Sequence, residues 1–144
     1  MNSGQSIKTV YSKYATFSGR ASRSEFWWFF LFYVLVYFVL SALNNIARAG
    51  SDTTTPAAFI LWIFVLGTIV PLLAVYSRRL HDTGRSAAWL FLLLLPIIGA
   101  IVVLVLCAME GQSGPNQYGD DPVAAGRPGT YPGQYGQPNP YGGQ

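Results

Sequence analysis

Three long apolar runs, separated by short polar segments, dominate the hydrophobic pattern of the chain. They cover residues 26–43, 57–76 and 87–109, and none contains a charged residue. About 20 helical residues cross a hydrocarbon core of about 30 Å, with a usual range of about 17–25. Because a segment in lipid must satisfy its own backbone hydrogen bonds, each run is predicted to be a helix. The pattern therefore predicts an all-α, polytopic membrane protein with three transmembrane helices.

Two prolines interrupt these runs. Pro96 in the third run removes a helical hydrogen bond to the Leu92 carbonyl, so we expect a span kinked at Pro96. The alternative is a re-entrant hairpin that returns the chain to the side it entered from. We favour the single span, because two crossings would need about 40 residues. In the second run, Pro71 leaves the Gly67 carbonyl without its helical partner, and we expect neighbouring Thr68 to help satisfy it.

The composition supports a bilayer environment. Only 10% of the 144 residues are charged, 51% are hydrophobic and the mean hydropathy is +0.33, whereas soluble domains carry about a quarter of their residues as charges. The single cysteine, Cys107, excludes an intrachain disulfide framework and a multi-cysteine metal site. No motif for a metal or cofactor is present, and none is expected.

The distribution of Lys and Arg predicts the orientation. Basic residues concentrate before the first run and between the second and third runs, whereas the loop after the first run has one, Arg48, balanced by Asp52. Positive charges favour the cytoplasmic side. We therefore predict a multi-pass membrane protein with a cytoplasmic N-terminus. The net charge of +3 follows from this topology, and no nucleic-acid partner is expected.

The chain divides into four predicted segments. Residues 1–21 form a cytoplasmic N-terminal segment, and residues 22–109 form the three-helix membrane domain. Residues 110–122 form an ordered polar stub, rich in turn-forming residues. Residues 123–144, rich in Gly, Pro, Tyr and Gln, are predicted to be a disordered tail, because they cannot bury enough apolar surface to offset ordering.

The first helix carries a start signal. Ser22 and Glu25 match a capping box, in which the serine hydroxyl accepts from the Glu25 backbone N–H and the glutamate reaches back. Both residues are therefore assigned a capping role. Trp27 and Trp28 follow at the depth that amphipathic rings prefer.

A second polar cluster closes the second run. Helical spacing predicts a pair between Arg78 and Asp82, four residues apart. The simplest interpretation is that these basic residues anchor the helix end to anionic lipid headgroups. The alternative is that His81, the only histidine in the sequence, performs acid–base chemistry with Asp82. The residues predicted to contact lipid or a partner are Arg20, Arg23, Arg78, Arg79, Arg85, His81 and Asp82.

Three ordered motifs carry a family resemblance. Residues 17–27 read FSGRASRSEFW, residues 78–86 read RRLHDTGRS, and Glu110-Gly111 is followed by NQYGDDP at 116–122. With the apolar runs between them, these resemble domain of unknown function 805, small bacterial inner-membrane proteins of the YhaH/YhaI-like type. The resemblance covers residues 10–122 and implies an inner-membrane location. It implies no activity and no catalytic residue.

Three functions remain in view. The first is a non-enzymatic membrane protein of uncharacterised role that binds anionic lipids or a membrane-protein partner at its basic cytoplasmic face, as a monomer or homo-oligomer. The second is a membrane enzyme using His81 and Asp82 with Glu25 or Glu110, although no recognisable catalytic motif supports an enzyme. The third is an oligomeric transporter or channel component, which the charge-free membrane segments disfavour. We expect the first.

Overall fold

The computed structural model describes residues 3–50 and 54–124. Within those residues the chain is helical, and the single β-bridge, between Asn116 and Gly119, belongs to no strand. The elements are α1 (Ser3–Ser12), α2 (Arg23–Arg48), α3 (Pro56–Asp82), a 3₁₀ helix (Ala87–Leu94) and α4 (Ile98–Ala108).

Helix α2 begins where the capping signal predicts. The Ser22 hydroxyl accepts a hydrogen bond from the Glu25 backbone N–H at 3.2 Å. The reciprocal half of the capping box is not formed, because the Glu25 carboxylate turns to Arg78 instead. The 26 residues of α2 rise about 39 Å, more than a hydrocarbon core requires.

Helix α3 begins at a Thr–Pro pair and continues through its internal proline. The Thr55 hydroxyl caps the Ala58 N–H at 3.3 Å and donates to Asn44 of α2 at 2.8 Å, which ties the two helices together at this end. The Gly67 carbonyl, freed by Pro71, accepts a hydrogen bond from the Tyr14 hydroxyl at 2.7 Å. The expected role of Thr68 at this carbonyl was therefore wrong, since the partner comes from a distant part of the chain.

Helices α2 and α3 are both long and apolar enough to cross a membrane, whereas the apolar helix α4 is too short. Only 11% and 22% of the residues in their most apolar windows are buried. The core helices of a globular domain would bury most of such a surface. Lipid is the environment that suits these exposed apolar faces.

The third apolar run folds back on itself. Its leading end, at residue 87, follows Asp82 after four residues. Its trailing end returns there, because the Gln112 N–H donates to the Asp82 carbonyl at 2.8 Å. The 3₁₀ helix and α4 each rise about 16 Å, so the outgoing and returning arms match. The prediction of one kinked helix over 87–109 is wrong: these residues form a hairpin, hereafter the third-run hairpin.

Two backbone features make this hairpin. Ile97 has φ +68° and ψ −69°, and the Ile98 N–H bonds the Pro96 carbonyl at 2.8 Å, which is a γ-turn. Gly99 then lies against the outgoing arm, where a Cβ atom would stand 1.6 Å from the Leu92 carbonyl oxygen. Glycine is required here for this close approach, which fits the hairpin alternative and not a single helix kinked at Pro96.

Helix α1 was not predicted. Val10 and Ser6 are fully buried, and the Tyr11 ring meets Phe29 and Phe32 of α2 edge-on. The apolar residues at 7, 10, 11 and 14 follow the helical i, i+3, i+4, i+7 pattern, which could have revealed it.

The connection after α1 runs along α3 toward its C-terminal end. The Phe17 carbonyl accepts from Ser77 at 3.1 Å, and the Ala21 N–H donates to the Arg78 carbonyl at 3.0 Å. Together with Tyr14 and Gly67, these bonds bring the connection to the same end of the molecule as the two ends of the third-run hairpin.

Candidate functional site

Four segments converge at one end of the molecule. They are residues 19–25, the last turn of α3, the end of α4 and the stub at 110–121. Between them lies a cluster of buried charged side chains, hereafter the polar cluster: Arg20, Glu25, Arg78, Arg79 and Asp82.

Ion pairs connect the polar cluster across the helices. Arg78 donates to Glu25 of α2 at 2.5 Å, and Asp82 binds both Arg20, at 2.9 Å, and Arg79. The predicted pair between Arg78 and Asp82 is therefore wrong. Arg78 turns to α2 instead, and Asp82 finds its helical partner three residues back rather than four.

The arginines also bind backbone carbonyls from the returning chain. Arg79 donates to the carbonyls of Cys107, at 2.8 Å, and Met109, where α4 ends without further helical donors. Arg20 bridges three carbonyls of the stub in the same way, those of Gln112, Gly114 and Gly119. The polar cluster thereby fixes both the third-run hairpin and the stub against α3.

The polar cluster holds more positive than negative charge. Three guanidinium groups face two carboxylates, and the Nε and Nη2 atoms of Arg78 have no hydrogen-bond partner among the described residues. A buried charge is costly unless it is paired and hydrogen-bonded. Each arginine is therefore held in place by its partners, and loss of one partner would leave an uncompensated charge.

His81 and Asp82 do not act as a pair. The His81 Nδ1 atom lies 3.1 Å from the Gly19 carbonyl, and its ring stacks on Tyr118 with centroids 3.9 Å apart and planes 1° apart. Asp82 is occupied by Arg20 and Arg79. The neighbours face different partners, so the proposed acid–base pair is not assembled in this arrangement.

The stub supplies residues that sequence reasoning left without a role. Gly111 lies directly on the Asp82 carboxylate, where a Cβ atom would stand 2.0 Å from Oδ2. The Asn116 amide donates to the His81 carbonyl at 2.9 Å, and Asp121 accepts from the Gly114 N–H at 3.2 Å. The motif at 110–122 thus closes the site. This motif was one of the three that carry the family resemblance. Its contacts with Asp82 and His81 could not be predicted, because they form only when the third-run hairpin returns the chain.

The predicted lipid- or partner-contact residues separate into two groups. Arg20, Arg78 and Arg79 are at most 7% exposed, so the structure places them inside the protein rather than against headgroups. Arg23 is exposed and Arg85 is partly exposed. His81 and Asp82 are buried with the first group, which leaves the contact hypothesis with Arg23 and Arg85.

A polar pocket of about 300 Å³ opens beside the polar cluster. Arg23 and Ser24 of α2 line one side, and Glu110 of the returning chain lines another. Arg79 and Asp82 of the polar cluster also line this pocket. Within residues 3–50 and 54–124, no three His, Cys, Asp or Glu side chains are grouped so as to hold a metal ion.

Comparison with known proteins places these features in a family. The family model described as protein of unknown function (DUF805) matches residues 14–120. Inner membrane protein YhaI of Escherichia coli K12 is 40% identical over 114 residues, covering 79% of this chain and 92% of YhaI. Inner membrane protein YhaH is 38% identical over 116 residues, covering 78% of this chain and 92% of YhaH. Uncharacterized protein YiiR, from the same strain, is 32% identical over 134 residues, covering 74% of this chain and 85% of YiiR. No solved structure matches.

Proposed function

The chain belongs to the DUF805 family of proteins of unknown function, and from that premise we propose that it is a bacterial inner membrane protein with two transmembrane helices, α2 and α3. The names of YhaI and YhaH as inner membrane proteins support this location. The third-run hairpin enters the bilayer to about half its depth and returns. Under this proposal, residues 1–21 lie on the cytoplasmic side, which their Lys and Arg residues favour, and the third-run hairpin returns the stub at 110–122 to that side.

We propose further that the protein is non-enzymatic and binds anionic lipid headgroups at its cytoplasmic face. The observation that carries this is the set of basic side chains that stay accessible after the polar cluster has formed. Lys8, Lys13 and Arg23 are exposed and Arg85 is partly so. Near an anionic leaflet, each such charge contributes about 1 kcal/mol of attraction.

The positions of three tryptophans support the proposal that this surface faces lipid headgroups. Trp27 and Trp28 lie one turn into α2, and Trp89 lies in the first turn of the 3₁₀ helix; all three are about 40% exposed. Amphipathic rings of this kind collect where headgroups meet acyl chains. Basic and aromatic side chains therefore surround the end of the molecule that holds the polar cluster.

Lipid retention tests this proposal. The chain is extracted from vesicles of mixed phosphatidylglycerol and phosphatidylcholine, and the lipids retained are measured by mass spectrometry. We expect wild type to retain phosphatidylglycerol in several-fold preference. A variant combining K8Q, K13Q, R23Q and R85Q should lose it, because the accessible charges are gone.

Arg48 provides the matched control. It is exposed at the opposite end of α2, so R48Q removes one charge without touching the proposed surface. This variant should keep the wild-type preference. An undiminished preference in the quadruple variant would contradict lipid binding by these residues.

A further inference from the structure

We propose that this chain binds one phospholipid of the phosphatidylethanolamine class, with a primary ammonium headgroup, on the face of α2 that begins at Arg23. This inference rests on the proposed function, because that function places this end of the molecule among cytoplasmic lipid headgroups, and it adds a site there for a zwitterionic lipid. Two cavities lined by the first turns of α2 carry it, one polar and one apolar.

The polar pocket places opposite charges side by side. The guanidinium of Arg23 is steered by a 3.3 Å hydrogen bond to the Met109 carbonyl, and Glu110 follows directly in the chain. Both side chains are exposed, and neither forms an ion pair within the described part of the chain. Each charge is therefore available to a ligand that carries the opposite one.

An apolar groove is lined by the residues of α2 that follow Arg23 and Ser24. It has a volume of about 360 Å³, and the described residues that line it are Trp27, Trp28, Phe30 and Leu31. Residues three, four and seven positions apart share one face of a helix, so this groove lies below Ser24 on the same face. A molecule with its charged group at Ser24 would extend its apolar part over the tryptophans.

The two cavities together match a zwitterionic phospholipid. Its phosphate suits the Arg23 guanidinium and the Ser24 hydroxyl, whereas its ammonium suits the Glu110 carboxylate. Its glycerol and upper acyl chain would lie in the apolar groove. Phosphatidylcholine has no N–H to donate to Glu110, and phosphatidylglycerol has no cation, so the site should distinguish phosphatidylethanolamine from both.

Tryptophan fluorescence tests the site directly. The chain has four tryptophans, and replacing Trp62 and Trp89 with Phe leaves the pair at the groove. The full chain is placed in phosphatidylcholine nanodiscs that contain a minor fraction of brominated phosphatidylethanolamine or, in parallel, brominated phosphatidylcholine. We expect stronger quenching by the brominated phosphatidylethanolamine, equivalent to about a two- to fivefold tighter association.

The Glu110→Gln variant supplies the decisive comparison. It should quench equally with both brominated lipids, because the ammonium has lost its partner. Asp120→Asn is the matched control: Asp120 is exposed, carries the same charge and does not line the pocket, so the preference should remain. Equal quenching in wild type, or a preference that survives in E110Q, would overturn the inference.

The same nanodiscs separate this inference from the proposed function. Brominated phosphatidylglycerol reports the general anionic preference, which depends on the accessible basic residues and should be unchanged or stronger in E110Q. In the wild-type chain, absence of the phosphatidylethanolamine preference alone would contradict the site on α2, whereas absence of the phosphatidylglycerol preference alone would contradict the proposed function. Far-ultraviolet circular dichroism of each variant verifies that the helices are intact.

Discussion

At the scale of single residues, the buried arginines bind the protein rather than its surroundings. A guanidinium group offers five donors in a fixed plane, so one side chain can pair with a carboxylate and still bind several carbonyls. Arg79 does both, through Asp82 and the carbonyls at the end of α4. Lysine at the same place would lack that fork. Arginine therefore acts here as a connector between chain segments.

Gly111 gives the sharpest prediction at this scale. A methyl group at this position would lie 2.0 Å from the Asp82 carboxylate, which is itself held by two arginines and cannot easily move. We expect Gly111→Ala to reduce the free energy of unfolding by about 1–3 kcal/mol. Thermal unfolding in detergent, followed by circular dichroism, measures the change.

Gly67→Ala is the control for this substitution. Gly67 lies inside α3, and a Cβ atom there would meet nothing within 4 Å. The unfolding temperature should stay the same or rise slightly, because alanine favours a helix. Equal destabilisation by the two substitutions would show that the contact with Asp82 does not matter.

At the scale of elements, the third-run hairpin is the main departure from a simple helical pattern. Runs of 3₁₀ helix longer than three or four residues are uncommon, yet the outgoing arm has eight. The Leu94, Ile97 and Ile98 side chains near its tip are at least 70% exposed. An apolar tip with this exposure suits a lipid environment.

Gly99→Ala should open this hairpin. Its methyl group would collide with the Leu92 carbonyl, so the arms must separate and α4 must shift. Cys107, buried on α4, then becomes accessible. We expect its reaction with a maleimide to be slow in wild type and about tenfold faster or more in the variant. A variant rate equal to that of wild type would contradict close packing of the two arms.

At the scale of the whole molecule, the two ends differ in construction. At one end residues 19–25, the third-run hairpin and the stub surround the polar cluster, whereas at the other, in the described residues, α2 and α3 are linked by Thr55 and Asn44. The accessible basic residues Arg23 and Arg85 belong to the end that holds the polar cluster. This asymmetry is typical of a protein that presents one face to a partner or surface.

The sequence predicted the parts of this fold that rest on local signals. Long apolar runs without charge predicted α2 and α3, and the capping signal of Ser22 and Glu25 predicted the start of α2. These features depend on nearest neighbours along the chain. They could be predicted because hydrophobic length and capping chemistry are visible within a few residues.

The polar cluster could not be predicted in the same way. Whether Arg78 pairs with Asp82 or with Glu25 depends on the packing of α3 against α2, and spacing along one helix does not contain that information. The remaining contacts of the polar cluster depend on the third-run hairpin. Once Met109 returns to Arg79, the stub must meet Asp82, and the arginines predicted to grip lipid are enclosed instead.

We infer that the third apolar run returns to the side of the membrane from which it starts. Topology reporters fused after Pro122 test it most directly, with fusions after Arg48 as the internal reference. We predict that a fluorescent protein after Pro122 is bright and alkaline phosphatase there is inactive, with the opposite result after Arg48. Active phosphatase after Pro122 would contradict the account, because it would place the stub across the membrane from the N-terminal segment.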